Sequence, residues 1–207
     1  MINLCIQLNF FSPPYIAEFL NNERLFWIRI IENYSTNFEG YLEAWKAVIR
    51  KTSVHHIKKL AIAIQIFFKL YSSKSKHFPK APRNLAPHHI AAFIGDTELF
   101  EYIMMRTNDK NPEGDIEIRY RYSKEKFEIA TDYLSQYNYK TTPLHIAAMN
   151  GNFELCKLIM KNINGHPKDF ISQTPLMIAA INGHLEICNM LIDMNEEKNP
   201  TDTLGKD

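Results

Sequence analysis

Apolar residues recur every three or four positions through most of this chain, and that period predicts helices. Residues 13–34 carry Phe19, Leu20, Phe26, Trp27, Ile30 and Ile31 at this spacing, behind a Pro13-Pro14 start. Residues 38–51 repeat it with Tyr41, Leu42, Trp45, Val48 and Ile49. Ser53 is placed to cap a third helix reaching about residue 71, apolar at Ile57, Leu60, Ala61, Ile64, Phe67 and Phe68. Three such helices predict a small bundle that docks on whatever follows. Further on, residues 116–122 alternate polar and apolar like a strand or hairpin arm, from Ile116 to Tyr122. Residues 123–136 return to the helical period at Phe127, Ala130 and Leu134.

A different order governs the second half. Thr142-Pro143-Leu144-His145-Ile146-Ala147-Ala148 returns 32 residues later as Thr174-Pro175-Leu176-Met177-Ile178-Ala179-Ala180. A weaker copy runs earlier as Ala86-Pro87-His88-His89-Ile90-Ala91-Ala92. Each position has a physical reason. A threonine hydroxyl caps a helix start. Proline at the first helical position loses nothing by lacking an N–H. Paired alanines let helices approach closely. Gly95, Gly151 and Gly183 suit the left-handed turn that ends a short helix. A second apolar helix follows, with Leu155, Leu158 and Ile159 in one copy and Ile187, Met190 and Leu191 in the next. The unit is therefore helix, tight turn, helix.

These residues resemble the ankyrin repeat, with its Thr-Pro-Leu-His-x-Ala-Ala signature and a following Gly-His. The resemblance covers residues 84–106, 138–163 and 170–195, with an insertion at about 108–139 between the first two copies. It implies an all-α fold, an ankyrin-repeat helical solenoid over 81–207 preceded by a helical region over 1–80. It implies binding of a protein partner through the repeat turns and the concave inner-helix face. In that family the two residues after the alanine pair face the concave side, which selects Phe93, Ile94, Met149, Asn150, Ile181 and Asn182. The turn residues Lys140, Thr141, Ser172 and Gln173 flank the same edge. The first copy departs from the pattern at Ala86, which has no capping hydroxyl, and at His88, where the others have leucine. The insertion carries Phe127, Tyr133, Tyr137 and Tyr139 and reads equally as a binding element or a tolerated surface excursion. The closing residues look like a lead-in to another unit, which makes the chain read as a piece of a longer array. Residues 21–27 are similar to the tail of an F-box, although no adaptor-binding helices are recognisable upstream of them. That similarity opens one alternative, a substrate-recognition fragment of a ubiquitin ligase; a second alternative, independent of it, is a regulatory ankyrin segment of a larger enzyme.

Bulk properties narrow the function class. Lys and Arg total 24 against 23 Asp and Glu, a net charge of +1. Nucleic-acid binders rely on a basic excess for their phosphate contacts, so no nucleic-acid partner is expected. The longest apolar run, residues 60–70, is interrupted by Gln65 and Lys69 and is about half the ~20 residues a membrane span requires. No membrane insertion is expected. The first eleven residues lack the basic start and cleavage site of a signal peptide. Three cysteines (Cys5, Cys156 and Cys188) make no disulfide framework and fit a reducing compartment, so the expected location is cytoplasmic, with a nuclear one left open by the basic, proline-punctuated segment 74–83.

No residue set predicts catalysis or a cofactor. Eight histidines occur without His-x-x-x-His or Cys-x-x-Cys spacing. His89 and His145 stand where the resemblance implies structural hydrogen bonding, and His184 is the usual residue after the turn glycine. Cys156 and Cys188 are equivalent positions one repeat apart, with Phe100 at the same place in the first copy. That marks a core position, and stacked helices about 8–10 Å apart hold such thiols too far apart to pair. The chain therefore reads as an interaction scaffold that is not an enzyme.

Overall fold

A computed structural model describes residues 22–73, 82–116, 139–163, 165–169 and 171–194. The predicted helical start at 13–21, the alternating residues 117–122, the helix at 123–136 and the closing residues 195–207 lie outside them.

The first half opens with α1 (Glu23–Glu32), whose N-cap Asn22 accepts the Leu25 N–H at 3.1 Å. Its buried residues Phe26, Trp27, Ile30 and Ile31 form one stripe at helical spacing. Phe26 and Trp27, the aromatics of the F-box-like stretch, are thus core residues. The second predicted helix starts later than its apolar pattern. Two short 3-10 turns, Ser35–Asn37 and Glu39–Tyr41, precede α2 (Leu42–Lys51). Phe38 there stacks on Trp45 at 4.2 Å and is buried by the turn rather than by a helix. Arg24 closes the C-terminus of α2 by donating to the carbonyls of Ile49 and Thr52. Ser53 then accepts the His56 N–H at 3.4 Å, and α3 (Val54–Ser73) buries Ile57, Leu60, Ala61, Ile64 and Phe67.

Three helix pairs follow. They are α4 (Pro87–Ile94) with α5 (Thr97–Met104), α6 (Pro143–Met149) with α7 (Phe153–Met160), and α8 (Pro175–Ile181) with α9 (Leu185–Asp193). Gly151, at φ 74°, occupies the left-handed region that a turn of this kind requires. A Cβ there would also lie 2.6 Å from the His184 ring, so glycine serves both the turn and the approach of the next unit. Ala91, Ala92, Ala147, Ala148 and Ala179 are wholly buried between units, whereas Ala180 is exposed.

The bundle and the repeats share one continuous core. Trp45 donates its ring N–H to the Leu85 carbonyl at 2.6 Å, and the Leu85 N–H donates to Asn37 at 2.8 Å. On another side of the junction Lys59 of α3 pairs with Asp96 at 2.9 Å, and His56 stacks on Tyr102 at 4.5 Å. Burial opposes the charge of Asp96, but the Leu99 N–H and the Lys59 ammonium outweigh it and hold the carboxyl below its usual range. The N-terminal helices thereby close the open face that the first unit of a solenoid would otherwise show to water.

Candidate functional site

The units are joined by two sets of polar links. The first is built on histidine. His89 Nδ1 accepts the N–H of Ala86 at 3.0 Å, and His89 Nε2 lies 3.1 Å from the carbonyl of Thr141 in the next unit. His145 repeats this, with Thr142 N–H on Nδ1 at 3.1 Å and the Gln173 carbonyl 3.2 Å from Nε2. A carbonyl only accepts, so Nε2 carries the proton and Nδ1 the lone pair, which defines a neutral imidazole. Burial pushes both rings down from 6.5 to about 4, against the raising effect of those backbone bonds. His89 thus satisfies the N–H of Ala86, as His145 does that of Thr142, while the side-chain acceptor that Ala86 lacks is not replaced. His145 changes the reading of Thr142, whose hydroxyl meets His145 Nδ1 at 2.9 Å instead of capping a backbone N–H. Thr174 does cap, accepting the Met177 N–H at 3.4 Å, because methionine stands where the other units have histidine.

The second set lies across the far ends of the inner helices. Asn150 donates its amide to the Phe93 carbonyl at 3.2 Å, and Asn152 to the Gly95 carbonyl at 3.0 Å. His184 Nε2 stands 3.0 Å from the Met149 carbonyl. These bonds fix the ends of α4, α6 and α8 side by side. They set Phe93, Met149 and Ile181 in one row and Ile94, Asn150 and Asn182 in the next.

The row residues are accessible in part. Phe93, Met149, Ile181 and Asn182 are half-buried, and Ile94 and Asn150 are exposed. Phe93 is not bare: the Phe67 ring of α3 meets it edge-on at 5.1 Å. Asn182 donates its amide to Ile178 within its own helix. At the turns the picture divides. Lys140 is exposed and Ser172 half-buried, but Thr141 and Gln173 are buried at 3 % and 1 % exposure. The Thr141 hydroxyl donates to the Ile116 carbonyl at 2.7 Å, and the carbonyls of both residues receive the histidine links. Thr141 and Gln173 therefore hold the units together and offer no side-chain surface, which corrects their selection as contact residues.

The turns have a common geometry that the sequence conceals. Asn84, Lys140 and Ser172 each stand two residues before a helix N-cap, with φ of 52°, 51° and 63°. This is the left-handed region where glycine is the usual signal, and none of the three is glycine. Asp169 accepts the N–H of Ile171 and of Gln173 at 3.0 and 2.8 Å. Asp115 accepts the N–H of Tyr139 at 3.3 Å in the same manner and pairs with Arg83 at 2.9 Å. Single β-bridges, Arg83 with Asp115 and Gly114 with Thr141, complete this edge. Residues 108–116 therefore belong to the repeat framework. The insertion leaves after Ile116 and returns at Tyr139, at the tip of a turn.

A cleft of about 410 Å³ separates α2 from the loop after α5, with Tyr41, Ala47, His88, Arg106, Asp109 and Pro112 on its walls. His88, in the place of leucine, is buried with Nε2 2.9 Å from the Thr107 hydroxyl and Nδ1 without a partner. Burial, with His89 and Lys110 adding to it, pushes its pKa down to about 3. Burial also pushes the Cys156 thiol up to about 12 and raises that of Cys188, so neither is an activated nucleophile. Among the described residues no group of three or more His, Cys, Asp or Glu side chains is arranged to hold a metal. No helix among them is long and apolar enough to cross a membrane.

A family model for ankyrin repeats matches residues 88–202 as three copies. A comparison with curated proteins returns no match.

Proposed function

Since the chain belongs to the ankyrin-repeat family, we propose that it is an interaction scaffold that binds a partner protein across its inner-helix row and the neighbouring turns. Repeats of this family generally mediate protein–protein contact, and the row is the part of this chain suited to it. The observation that carries the reading is the repetition of a partly exposed apolar residue at one homologous position, Phe93, Met149 and Ile181, in three consecutive units. A single exposed apolar residue needs no explanation, but a row in register is the mark of a contact surface. Ile94, Asn150 and Asn182 extend that surface, with Lys140 and Ser172 at the turn edge. On this reading the chain performs no catalytic step, needs no cofactor and works inside the cell, where buried free thiols such as Cys156 and Cys188 stay reduced.

The test is affinity capture with the full chain, beside a Phe93→Glu, Met149→Glu, Ile181→Glu variant whose thermal unfolding is checked first. Partners retained by the unmodified chain and lost by the folded variant support the proposal. Identical partner sets from both would overturn it.

A further inference from the structure

The cleft between α2 and the loop after α5 shares no residue with the inner-helix row. Two residues of its walls, His88 and Arg106, each carry a buried side-chain nitrogen with no hydrogen-bond partner, Nδ1 of the one and Nε of the other. Buried polar atoms without a partner are uncommon in folded proteins, because they lose water and gain nothing in return. His88 is only 1 % exposed, and the other two units fill its position with Leu144 and Leu176. A histidine held there at a cost in stability is the pattern of a binding residue rather than of a packing one.

The neighbours fix what each nitrogen can do. The Thr107 hydroxyl donates to the Ile103 carbonyl at 3.0 Å, so it accepts from His88 Nε2 at 2.9 Å. The ring proton is therefore on Nε2, and Nδ1 presents a lone pair. Burial keeps the ring neutral, with a pKa of about 3. Arg106 is the reverse case. Its guanidinium lies 3.4 Å over the Tyr102 ring and one terminal nitrogen donates to the Tyr102 carbonyl at 3.0 Å, which holds the side chain in place. Its Nε–H is left as a donor without an acceptor. The His88–Thr107 bond ties the ring to the residue that directly follows Arg106.

A ligand that satisfies both nitrogens gives one hydrogen and accepts another, and an amide offers the two side by side. The remaining walls favour an apolar, flat body. Ala44, Ala47 and Pro112 carry no polar side-chain atom, and the Tyr41 hydroxyl is engaged by the Glu113 carbonyl at 2.8 Å, which leaves its ring. Charge on the walls is balanced. Glu43 is paired with Lys46 at 2.7 Å, and Arg106 then stands against Asp109. The volume of about 410 Å³ falls within the range of small-molecule sites, about 300–1,000 Å³. We propose that this cleft binds a small uncharged aromatic amide, with its N–H on His88 Nδ1 and its carbonyl on Arg106 Nε–H.

The test titrates benzamide into the isotope-labelled full chain, with binding read from heteronuclear NMR shifts. Methyl benzoate, which accepts but cannot donate, and benzoate, which is charged, are the ligand controls. His88→Leu removes the acceptor, and Ala47→Phe fills the cleft while leaving both nitrogens in place; circular dichroism checks the fold of each. The expected result is saturable benzamide binding to the parent chain. Binding of methyl benzoate and of benzoate, and binding of benzamide to either variant, should be weaker by about tenfold or more. Failure of benzamide to bind the parent chain up to its solubility limit would overturn the site. So would equal binding of methyl benzoate or benzoate, or benzamide binding retained by a folded variant. Should His88→Leu not fold, Ala47→Phe decides the location and methyl benzoate decides the hydrogen bond.

Discussion

Replacing His145 with leucine isolates the contribution of one histidine link. The substitution keeps apolar bulk in a wholly buried site and removes three polar contacts. These are the Thr142 N–H on Nδ1, the Thr142 hydroxyl on Nδ1 and the Nε2–H on the Gln173 carbonyl. The three do not cost the same. The Gln173 carbonyl keeps a second donor, the Asp169 N–H at 3.0 Å, so it is not left bare. The Thr142 N–H loses its partner at a residue only 1 % exposed. An orphaned buried donor costs about 1–3 kcal/mol and each lost hydrogen bond about 1 kcal/mol, so the sum is about 3 kcal/mol after leucine's apolar gain. For a chain of this length that lowers the melting temperature by about 6–12 °C. Urea and thermal unfolding followed by circular dichroism measure it. Met177→Leu is the internal control, because methionine fills the same position in the third unit and the change should cost less than about 1.5 kcal/mol. If His145→Leu costs no more than Met177→Leu, the histidine is filling space and the link reasoning is refuted.

Acid should weaken the fold through the same rings. His88, His89 and His145 fold as neutral imidazoles with pKa values of about 3, 4 and 4, below the ordinary 6.5. Their stabilisation is complete above about pH 6.5 and is lost as pH falls toward the folded values, by about 2 kcal/mol per ring near pH 5. A urea midpoint that stays constant between about pH 7 and pH 5 would contradict this. Ser172→Gly should stabilise the chain by about 1 kcal/mol, since φ of 63° strains a serine but not a glycine, and a lowered urea midpoint would count against that strain. His88→Leu should raise stability by about 1 kcal/mol by replacing a buried ring nitrogen that lacks a partner with the residue that Leu144 and Leu176 supply in the other units. A fall in melting temperature would show that the Thr107 contact matters more.

Much of the architecture was legible because its causes are local. The turn glycines and the first-turn prolines answer to the backbone, and the paired alanines, Ala180 apart, to close packing between neighbouring units that repeat the same motif. Three features were hidden because their causes are not local. Lys140 and Ser172 adopt a glycine-like conformation that nothing in their chemistry advertises. Thr141 and Gln173 read as polar turn residues, yet their carbonyls receive histidines from the preceding unit, which draws the residues inward. The delayed start of α2 depends on Phe38 finding Trp45 through a 3-10 turn, a tertiary contact that the helical period cannot express. The row Phe93, Met149 and Ile181 falls between these cases. Its residues follow from the repeat register, while the partial cover of Phe93 by Phe67 comes from the N-terminal bundle.

A partner protein lying across this row can be captured there by photo-cross-linking. A photo-reactive side chain replaces Met149 in the full chain, and in a second protein it replaces Leu25, an apolar residue of α1 that is 50 % exposed and distant in sequence from the repeats. A partner on the row gives a discrete protein adduct from position 149 and none of the same mass from position 25. An adduct formed only from position 25, or equally from both, would place the partner elsewhere and contradict it.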